Sequence, residues 1–149
     1  MRRHPGLRLL SEEHHYALAQ ARDLRLVGSD QCELSPAAVL ERFLVFWDEG
    51  GHDHFRKEEE LLLPLYNRYA PVNTVEMLGL FIQHTQIRRQ VMLLRTAAEL
   101  QEKELIELLH KLGQDLEAHI RQEERIVFPL VEATVPDDVL GAFESYSLS

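Results

Sequence analysis

Two stretches of the sequence repeat one pattern of histidine, arginine and paired glutamate, followed by apolar residues and a proline. The first occupies residues 54–64 and the second residues 119–129, and every matching position lies at the same offset along the chain. In each stretch a histidine precedes a glutamate by four residues, which on a helix places both side chains on one face, one turn apart. An imidazole and a carboxylate presented together suit iron, manganese or zinc. The repeat therefore predicts metal binding.

Both histidine and glutamate pairs are predicted to face the interior, because apolar residues continue the same helical stripe. The stripes are His54, Glu58, Leu61 and Leu65 in the first stretch and His119, Glu123, Ile126 and Leu130 in the second. A carboxylate without a partner in an apolar interior costs several kcal/mol, or its pKa rises until it is neutral. No lysine or arginine lies on these stripes, so a divalent metal ion is the expected partner.

Two further histidines complete the predicted ligand set. The dipeptide Glu13-His14 is echoed by Gln83-His84, and both histidines lie on the apolar faces of their predicted helices. Four helices can thus bring four histidines and two glutamates to one depth of a bundle. Six ligands are too many for one tetrahedral zinc. They suit two non-haem irons that the glutamates bridge, with water, hydroxide or oxo groups completing the coordination, and zinc or manganese can use the same ligands.

The polar neighbours of these residues receive a simpler interpretation. His14 fits the apolar stripe of its helix better than its neighbour does, and the histidines expected at the surface are His4, His15, His52 and His110. Glu59 and Glu124 directly follow the predicted glutamate ligands. We interpret both as a charged, solvated face that can also accept hydrogen bonds from ligand imidazoles, and not as ligands. The pattern assigns no catalytic residue.

The elements that must position these side chains are all predicted to be helices. Helix A is expected to begin with Ser11 as its N-cap and to end near Gly28. Helix B is expected to begin at Ser35-Pro36 and to run to about Tyr69. A kink near Glu60 is expected there, because a proline four residues later removes a backbone hydrogen bond. Alternatively, the pair Gly50-Gly51 splits helix B in two.

The second half of the chain predicts two more long helices. Thr74 caps helix C, which runs to about Glu99, and helix D runs from about Lys103 to about Glu132. A short terminal helix over 137–146 is assigned packing alone. Short connections between long helices favour an all-α, up-down-up-down four-helix bundle. We interpret residues 1–149 as one domain, with its core at about residues 7–132.

Composition excludes several classes of function. The formal net charge is −9, and the basic residues are scattered along the chain, which argues against nucleic acid or a membrane surface as the partner. The apolar runs are far shorter than the roughly 20 residues that cross a bilayer. The first residues lack the apolar segment of a secretory signal, and Cys32 is the single cysteine, so a cytoplasmic protein without a disulfide framework is expected.

The ordered set of Glu13-His14, His54-x-x-x-Glu58, His84 and His119-x-x-x-Glu123 resembles the hemerythrin family, specifically the hemerythrin-like HHE cation-binding domains. The resemblance covers about Leu7 to Val131. It implies a di-iron centre ligated by His14, His54, Glu58, His84, His119 and Glu123. Oxygen-carrying members have a second histidine one turn after the helix C histidine, where this chain has Arg88. That departure puts reversible oxygen carriage in doubt and leaves a coordination position for water, another carboxylate or a substrate.

The sequence thus predicts a di-iron binding protein that meets O2, NO or peroxide, in sensing, iron handling or redox protection. Two alternatives stay open: a di-iron oxidoreductase of peroxidase or ferroxidase type, and a metal-free helical interaction module. Turnover of ferrous iron or peroxide separates the first alternative, and metal content separates the second. A monomer or a homodimer is expected.

Overall fold

Helices make up the regular structure of residues 2–148, the part of the chain that this computed structural model describes, and no strand occurs there. The α-helices are α1 (Arg8–Leu26), α2 (Pro36–Phe46), α3 (His52–Lys57), α4 (Leu63–Asn67), α5 (Val75–Arg95), α6 (Glu102–Gln122), α7 (Phe128–Thr134) and α8 (Asp137–Leu148). Short 3-10 turns cover Pro5–Leu7 and Ala97–Glu99. Among these described residues, no helix has the length and apolarity needed to cross a membrane.

Three π turns join several of these helices into longer helical segments. The first (Trp47–Gly51) links α2 to α3, the second (Glu58–Leu62) links α3 to α4, and the third (Glu123–Val127) links α6 to α7. Residues 36–67 are therefore one helical segment, which corresponds to predicted helix B, and residues 102–134 correspond to predicted helix D. The alternative in which the glycine pair splits helix B is wrong.

Two of the predicted N-caps are confirmed. The Ser35 hydroxyl accepts a hydrogen bond from the backbone N–H of Ala38. The Thr74 hydroxyl accepts one from the backbone N–H of Met77. Each cap satisfies a donor in the first helical turn that has no partner within the helix. The ends of the helices that carry the candidate ligands are thus fixed by local sequence.

The predicted N-cap of helix A is wrong. Helix α1 begins at Arg8, and the 3-10 turn Pro5–Leu7 leads into it, so Ser11 lies inside the helix. Pro5 suits the first position of the helical turn, and the burial of Leu7 and Leu10 stabilises the earlier start of the helix. Glycine at position 6 lets the 3-10 turn pass close to Leu140, because a Cβ there would lie 1.9 Å from the backbone oxygen of Leu140. The predicted end is confirmed by Gly28, whose φ of +86° lies in the left-handed region.

Among residues 2–144, whose burial the structure describes, buried apolar side chains form two clusters, which we call the first and the second cluster. The first includes Ala21, Phe43, Val91 and Leu112, and the second includes Leu10, Leu62, Leu80 and Val131. In α1, α5 and the segments 36–67 and 102–134, the buried histidines and glutamates fall where the chain passes from one cluster to the other. The terminal helix α8 adds Leu140 and Phe143 to the second cluster, in line with its predicted packing role.

The predicted inward stripes are wrong beyond the two glutamates. Leu61 and Ile126 are 38% and 43% exposed, whereas the next residues, Leu62 and Val127, are fully buried. Leu65 and Leu130 are half-buried. The cause is the π turn that starts at each glutamate, because its looser winding adds one residue to the turn. The buried face therefore continues in steps of four residues: 54, 58, 62 and 66, and 119, 123, 127 and 131.

Candidate metal centre

Six polar side chains are buried at the level between the two apolar clusters. They are His14, His54, Glu58, His84, His119 and Glu123, each at most 6% exposed. The histidines lie on α1, α3, α5 and α6, and each glutamate is the first residue of a π turn. All six residues that the sequence predicts as metal ligands are thus brought together by the structure.

The donor atoms of these residues form two overlapping groups. One group is His14, His54, Glu58 and Glu123, and the other is Glu58, His84, His119 and Glu123. Within each group, one donor atom from every residue lies within 4.8 Å of the others. Both glutamates belong to both groups, so the arrangement offers two adjacent cation positions with shared carboxylates.

Each glutamate lies between one histidine of each group. The Glu58 oxygens lie 3.2 Å from Nε2 of His54 and 3.1 Å from Nε2 of His84. Oε1 of Glu123 lies 3.2 Å from Nε2 of His14 and 2.9 Å from Nε2 of His119. All four imidazoles therefore turn the same ring nitrogen, Nε2, toward the shared carboxylates.

The other ring nitrogen of each histidine is held by an acceptor from a neighbouring helical segment. The Nδ1 contacts are His14 to Glu124 at 2.6 Å, His54 to Glu13 at 3.1 Å, His84 to Glu59 at 2.6 Å, and His119 to Gln83 at 2.7 Å. In the form that binds a cation, each Nδ1–H would donate to a carboxylate or amide oxygen, which leaves Nε2 as a lone-pair donor. The predicted accepting role of Glu59 and Glu124 is seen in these contacts.

Sequence reasoning missed the other two acceptors, Glu13 and Gln83. A signal for them existed, because each directly precedes a predicted ligand in the echoed dipeptides Glu13-His14 and Gln83-His84. Neither residue accepts from the histidine beside it, however. Glu13 on α1 holds His54 on α3, and Gln83 on α5 holds His119 on α6. The pairing crosses between helices, which spacing within one helix cannot reveal.

Cationic side chains neutralise the three outer carboxylates. Arg88 donates two hydrogen bonds to Glu59, at 2.7 and 2.9 Å. Arg3 lies 3.2 Å from an oxygen of Glu124, and Lys57 lies 3.6 Å from an oxygen of Glu13. Arg88, at the position where oxygen carriers have a fifth histidine, therefore supports an outer acceptor and supplies no donor to the centre.

Ring packing fixes the imidazoles further. The Phe55 ring stacks on His84 with centroids 3.7 Å apart, and Phe128 stacks on His14 at 5.3 Å. The Arg88 guanidinium lies over the Phe55 ring, 5.6 Å from its centroid. Packing and outer hydrogen bonds of this kind hold donor side chains in a fixed geometry.

The protonation states of the metal-free centre follow from burial and neighbours. Burial and the adjacent Glu123 carboxylate raise the pKa of Glu58 well above its usual range. Burial also disfavours a charged Glu123, but the neighbouring His119, together with Glu58 and His14, holds the pKa of Glu123 well below its usual range. One carboxyl of this pair is therefore protonated and the other ionised.

The pKa values of His14 and of the outer carboxylate Glu59 are also shifted by their neighbours. Burial opposes a charged His14, but Glu123 and Glu124 outweigh it and raise the pKa of His14 to about 9. Partial burial also opposes a charged Glu59, yet His84 and Arg88 lower the pKa of Glu59 to about 2. The metal-free centre thus holds positive charge on imidazole where a cation would otherwise stand.

Buried donor atoms without hydrogen bonds indicate that these residues suit a metal ion. Both oxygens of Glu58, one oxygen of Glu123 and Nε2 of His54 are buried without a hydrogen-bond partner. Buried polar atoms are normally satisfied, and unsatisfied ones cost about 1–3 kcal/mol each. The four atoms converge on the two groups of donors described above, and imidazole nitrogen with carboxylate oxygen is the mixture that iron, manganese and zinc accept.

The remaining histidines lie away from the centre. His15 and His52 are exposed, as predicted. The predictions for His4 and His110 are wrong, because both are half-buried and hydrogen-bonded. His4 Nε2 lies 2.7 Å from Asp137, and His110 Nε2 donates to the backbone oxygen of Val27 at 2.8 Å. His4 thus joins the start of the chain to α8, and His110 joins α6 to the end of α1; both are contacts between distant residues that local sequence does not show.

A cavity of about 700 Å³ reaches the centre from one side. At its inner end it is lined by His14, His54, His119 and Glu123, and its outer end is formed by exposed residues of α1, α2 and the first π turn. His84 does not line it and is fully buried. The centre is therefore open to small molecules from the side of His14, His54 and His119.

Comparison with known proteins identifies a family for this chain. The family model described as Hemerythrin HHE cation binding domain matches residues 6–131. Searches of curated proteins and of solved structures each returned no significant match. The matched residues include all six buried polar side chains of the centre.

Proposed function

The chain belongs to the hemerythrin HHE cation-binding family, and we propose on that premise that it is a non-haem di-iron protein. Its two irons meet a small ligand, namely O2, NO or peroxide, at open coordination positions. The protein acts in sensing, iron handling or redox protection. The observation that carries this proposal is the pair of overlapping donor groups that share Glu58 and Glu123.

Each half of the centre would be held by two histidines and by both shared glutamates. His14 and His54 would hold one iron, and His84 and His119 would hold the other. Bound iron would supply Lewis acidity and one-electron redox change. A cation held by four protein ligands would keep room for water or a small ligand in its coordination. The absence of a histidine at Arg88 supports such open positions.

The metal-free interaction module is the weaker reading. Such a module would need its buried polar atoms satisfied within the protein, because a half-satisfied buried network is worse than an apolar core. Here both Glu58 oxygens lack a hydrogen bond. The donor set therefore supports a bound cation. Zinc and manganese stay as possible substitutes for iron in the same ligands.

The proposal extends to the arrangement of the bundle. In α1 and α5 the residues of the second cluster come before those of the first, whereas in segments 36–67 and 102–134 this order is reversed. Alternating order is what an up-down-up-down bundle of one domain produces. The cytoplasmic location, the lack of a nucleic-acid partner and the monomeric or homodimeric state stay predictions from composition.

The test is metal content of the anaerobically purified protein after iron reconstitution. We expect about two irons per chain, with absorption bands of a bridged ferric pair after oxidation. Glu58→Gln should lose most of the iron, because it removes the shared charge. Glu60→Gln is the matched control in the same π turn, since Glu60 is exposed and pairs with Arg56. A folded wild-type chain that takes up no iron would contradict the proposal.

A further inference from the structure

The cavity that reaches the centre is larger than a diatomic ligand requires. Its volume is about 700 Å³, within the range of pockets that hold drug-sized organic molecules. The walls between mouth and centre are mainly apolar: Ala17, Phe46, Trp47, Phe55, Leu116 and Ile120. Burial of a hydrocarbon chain against an apolar wall of this extent would favour binding, whereas O2 or NO has too little apolar surface to gain much binding free energy from it.

Charge at the two ends of the cavity differs. The exposed mouth carries Glu41 and Glu49 against one Arg42, which disfavours an anionic group there. At the inner end, two divalent cations would bring more positive charge than Glu58 and Glu123 neutralise. The outer carboxylates do not cancel the excess, because each has a cationic partner of its own. An anionic oxygen donor is therefore favoured at the inner end alone.

The walls are shaped by the glycine pair of the first π turn. A Cβ at Gly51 would lie 2.9 Å from the Phe46 ring and 3.1 Å from Trp47, so glycine lets both rings pack against the turn. A Cβ at Gly50 would meet no heavy atom within 4 Å. Because Gly50 also lines the cavity, a larger side chain at this position is expected to occupy part of the passage.

We propose that this cavity binds a small organic anion, with its apolar body against the Trp47 wall and its oxygen donor on the cation between His14 and His54. The inference rests on the proposed function, because it needs that cation. It names the class of ligand that the site selects: an apolar molecule with one carboxylate or another anionic oxygen at its leading end.

Trp47, the single tryptophan of the chain, reports on the cavity directly. The probes are n-octanoate and 1-octanol, titrated by Trp47 fluorescence into the iron-loaded and the iron-free protein. Octanoate should bind the loaded form at least about tenfold more tightly than the iron-free form. Octanol, which lacks the charge, should bind both forms alike. Equal octanoate affinity for the two forms, or no fluorescence response, overturns the inference.

A cavity-filling variant tests the place of binding. Gly50→Leu should weaken octanoate and octanol binding by about tenfold, because the new side chain fills the passage. Gly141→Leu is the matched control: a Cβ at this helical glycine also meets nothing within 4 Å, and Gly141 does not line the cavity. Azide, which is small, should still bind the iron of Gly50→Leu. Unchanged octanoate binding in Gly50→Leu overturns the assignment to this cavity.

Iron content of the same samples separates this inference from the proposed function. A content near zero overturns the proposed function, and the coordination of octanoate with it. About two irons per chain without a response to octanoate overturns the inference alone. Crystals of the loaded protein with octanoate would then locate any ligand that binds elsewhere.

Discussion

The two halves of the centre have inner donors of the same types, two histidines each and the shared glutamates. They differ in the hydrogen-bond partners of their histidines and in how far the cavity reaches them. The His14 and His54 half has two carboxylate acceptors, Glu124 and Glu13, whereas the other half has one carboxylate and the neutral amide of Gln83. The cavity borders both histidines of the first half but only His119 of the second half. In the second half Phe55 covers His84, which is fully buried.

The difference shows that an internal repeat fixes the donors without fixing their surroundings. Carboxylate acceptors make an imidazole a stronger ligand, and outer partners change metal affinity by about 10–100-fold. We therefore expect the first half to bind its cation more tightly and to be the half that meets ligands. The second half is the more enclosed and would serve mainly to hold its cation.

The largest expected effect comes from two single substitutions, each of which removes one histidine from one half of the centre. His54→Ala and His84→Ala should each reduce iron content to about one per chain, because each removes a ligand of one group. Azide binding should be lost in His54→Ala and kept in His84→Ala, since the cavity borders His54. Metal analysis and azide titration by absorbance measure both results. Loss of azide binding in His84→Ala alone would reverse the assignment of the open half.

A pH effect on the metal-free protein comes next in size. The pKa of His14 is raised to about 9 in the folded state, from an ordinary value of 6.5. Charged His14 therefore stabilises the fold fully below pH 6.5, and this contribution is lost as pH rises through 9. The free energy of unfolding should fall by about 3 kcal/mol across that window. Urea unfolding at several pH values measures it.

The control for this pH effect is the adjacent, exposed histidine. His15→Gln should keep the loss of stability between pH 6.5 and 9, whereas His14→Gln should remove it. The iron-loaded protein should also lack it, because a ligating imidazole is already neutral. A decline of equal size in His14→Gln would assign the pH dependence to another group.

The smallest expected effect concerns the outer acceptors. Gln83→Glu would give the second half a second carboxylate, and Gln122 beside it can turn its amide to donate. The two stepwise dissociation constants for Fe²⁺, which we expect to differ by about tenfold, should then converge. Glu13→Gln should also make the two dissociation constants more alike, because it weakens Fe²⁺ binding by the first half. Calorimetric titration measures both constants.

Gln86→Glu is the control for added charge, since Gln86 is exposed on the same helix as Gln83. It should leave the two constants as they are in the wild-type protein. Convergence in Gln86→Glu would mean that general negative charge, and not the contact with His119, sets the difference.

Much of the fold and of the donor set could be predicted from sequence. Helical periodicity and caps such as Ser35 and Thr74 set the segments, because they act over three or four residues. The duplicated histidine and glutamate pairs indicated the buried donors, because four-residue spacing fixes a common helical face. Leu61 and Ile126 were placed wrongly because α-helical periodicity was continued through π turns, whose looser winding has no local sequence signal.

The sequence by itself determined which side chains are presented inward from each helix, since that depends on spacing along one chain segment. The tertiary structure alone decided which acceptor meets which imidazole, because the contacts from Glu13 to His54 and from Gln83 to His119 depend on how neighbouring helices are rotated and spaced. It also decided that the cavity borders one half more than the other. Those features are distances between helices, and no spacing within a helix encodes them.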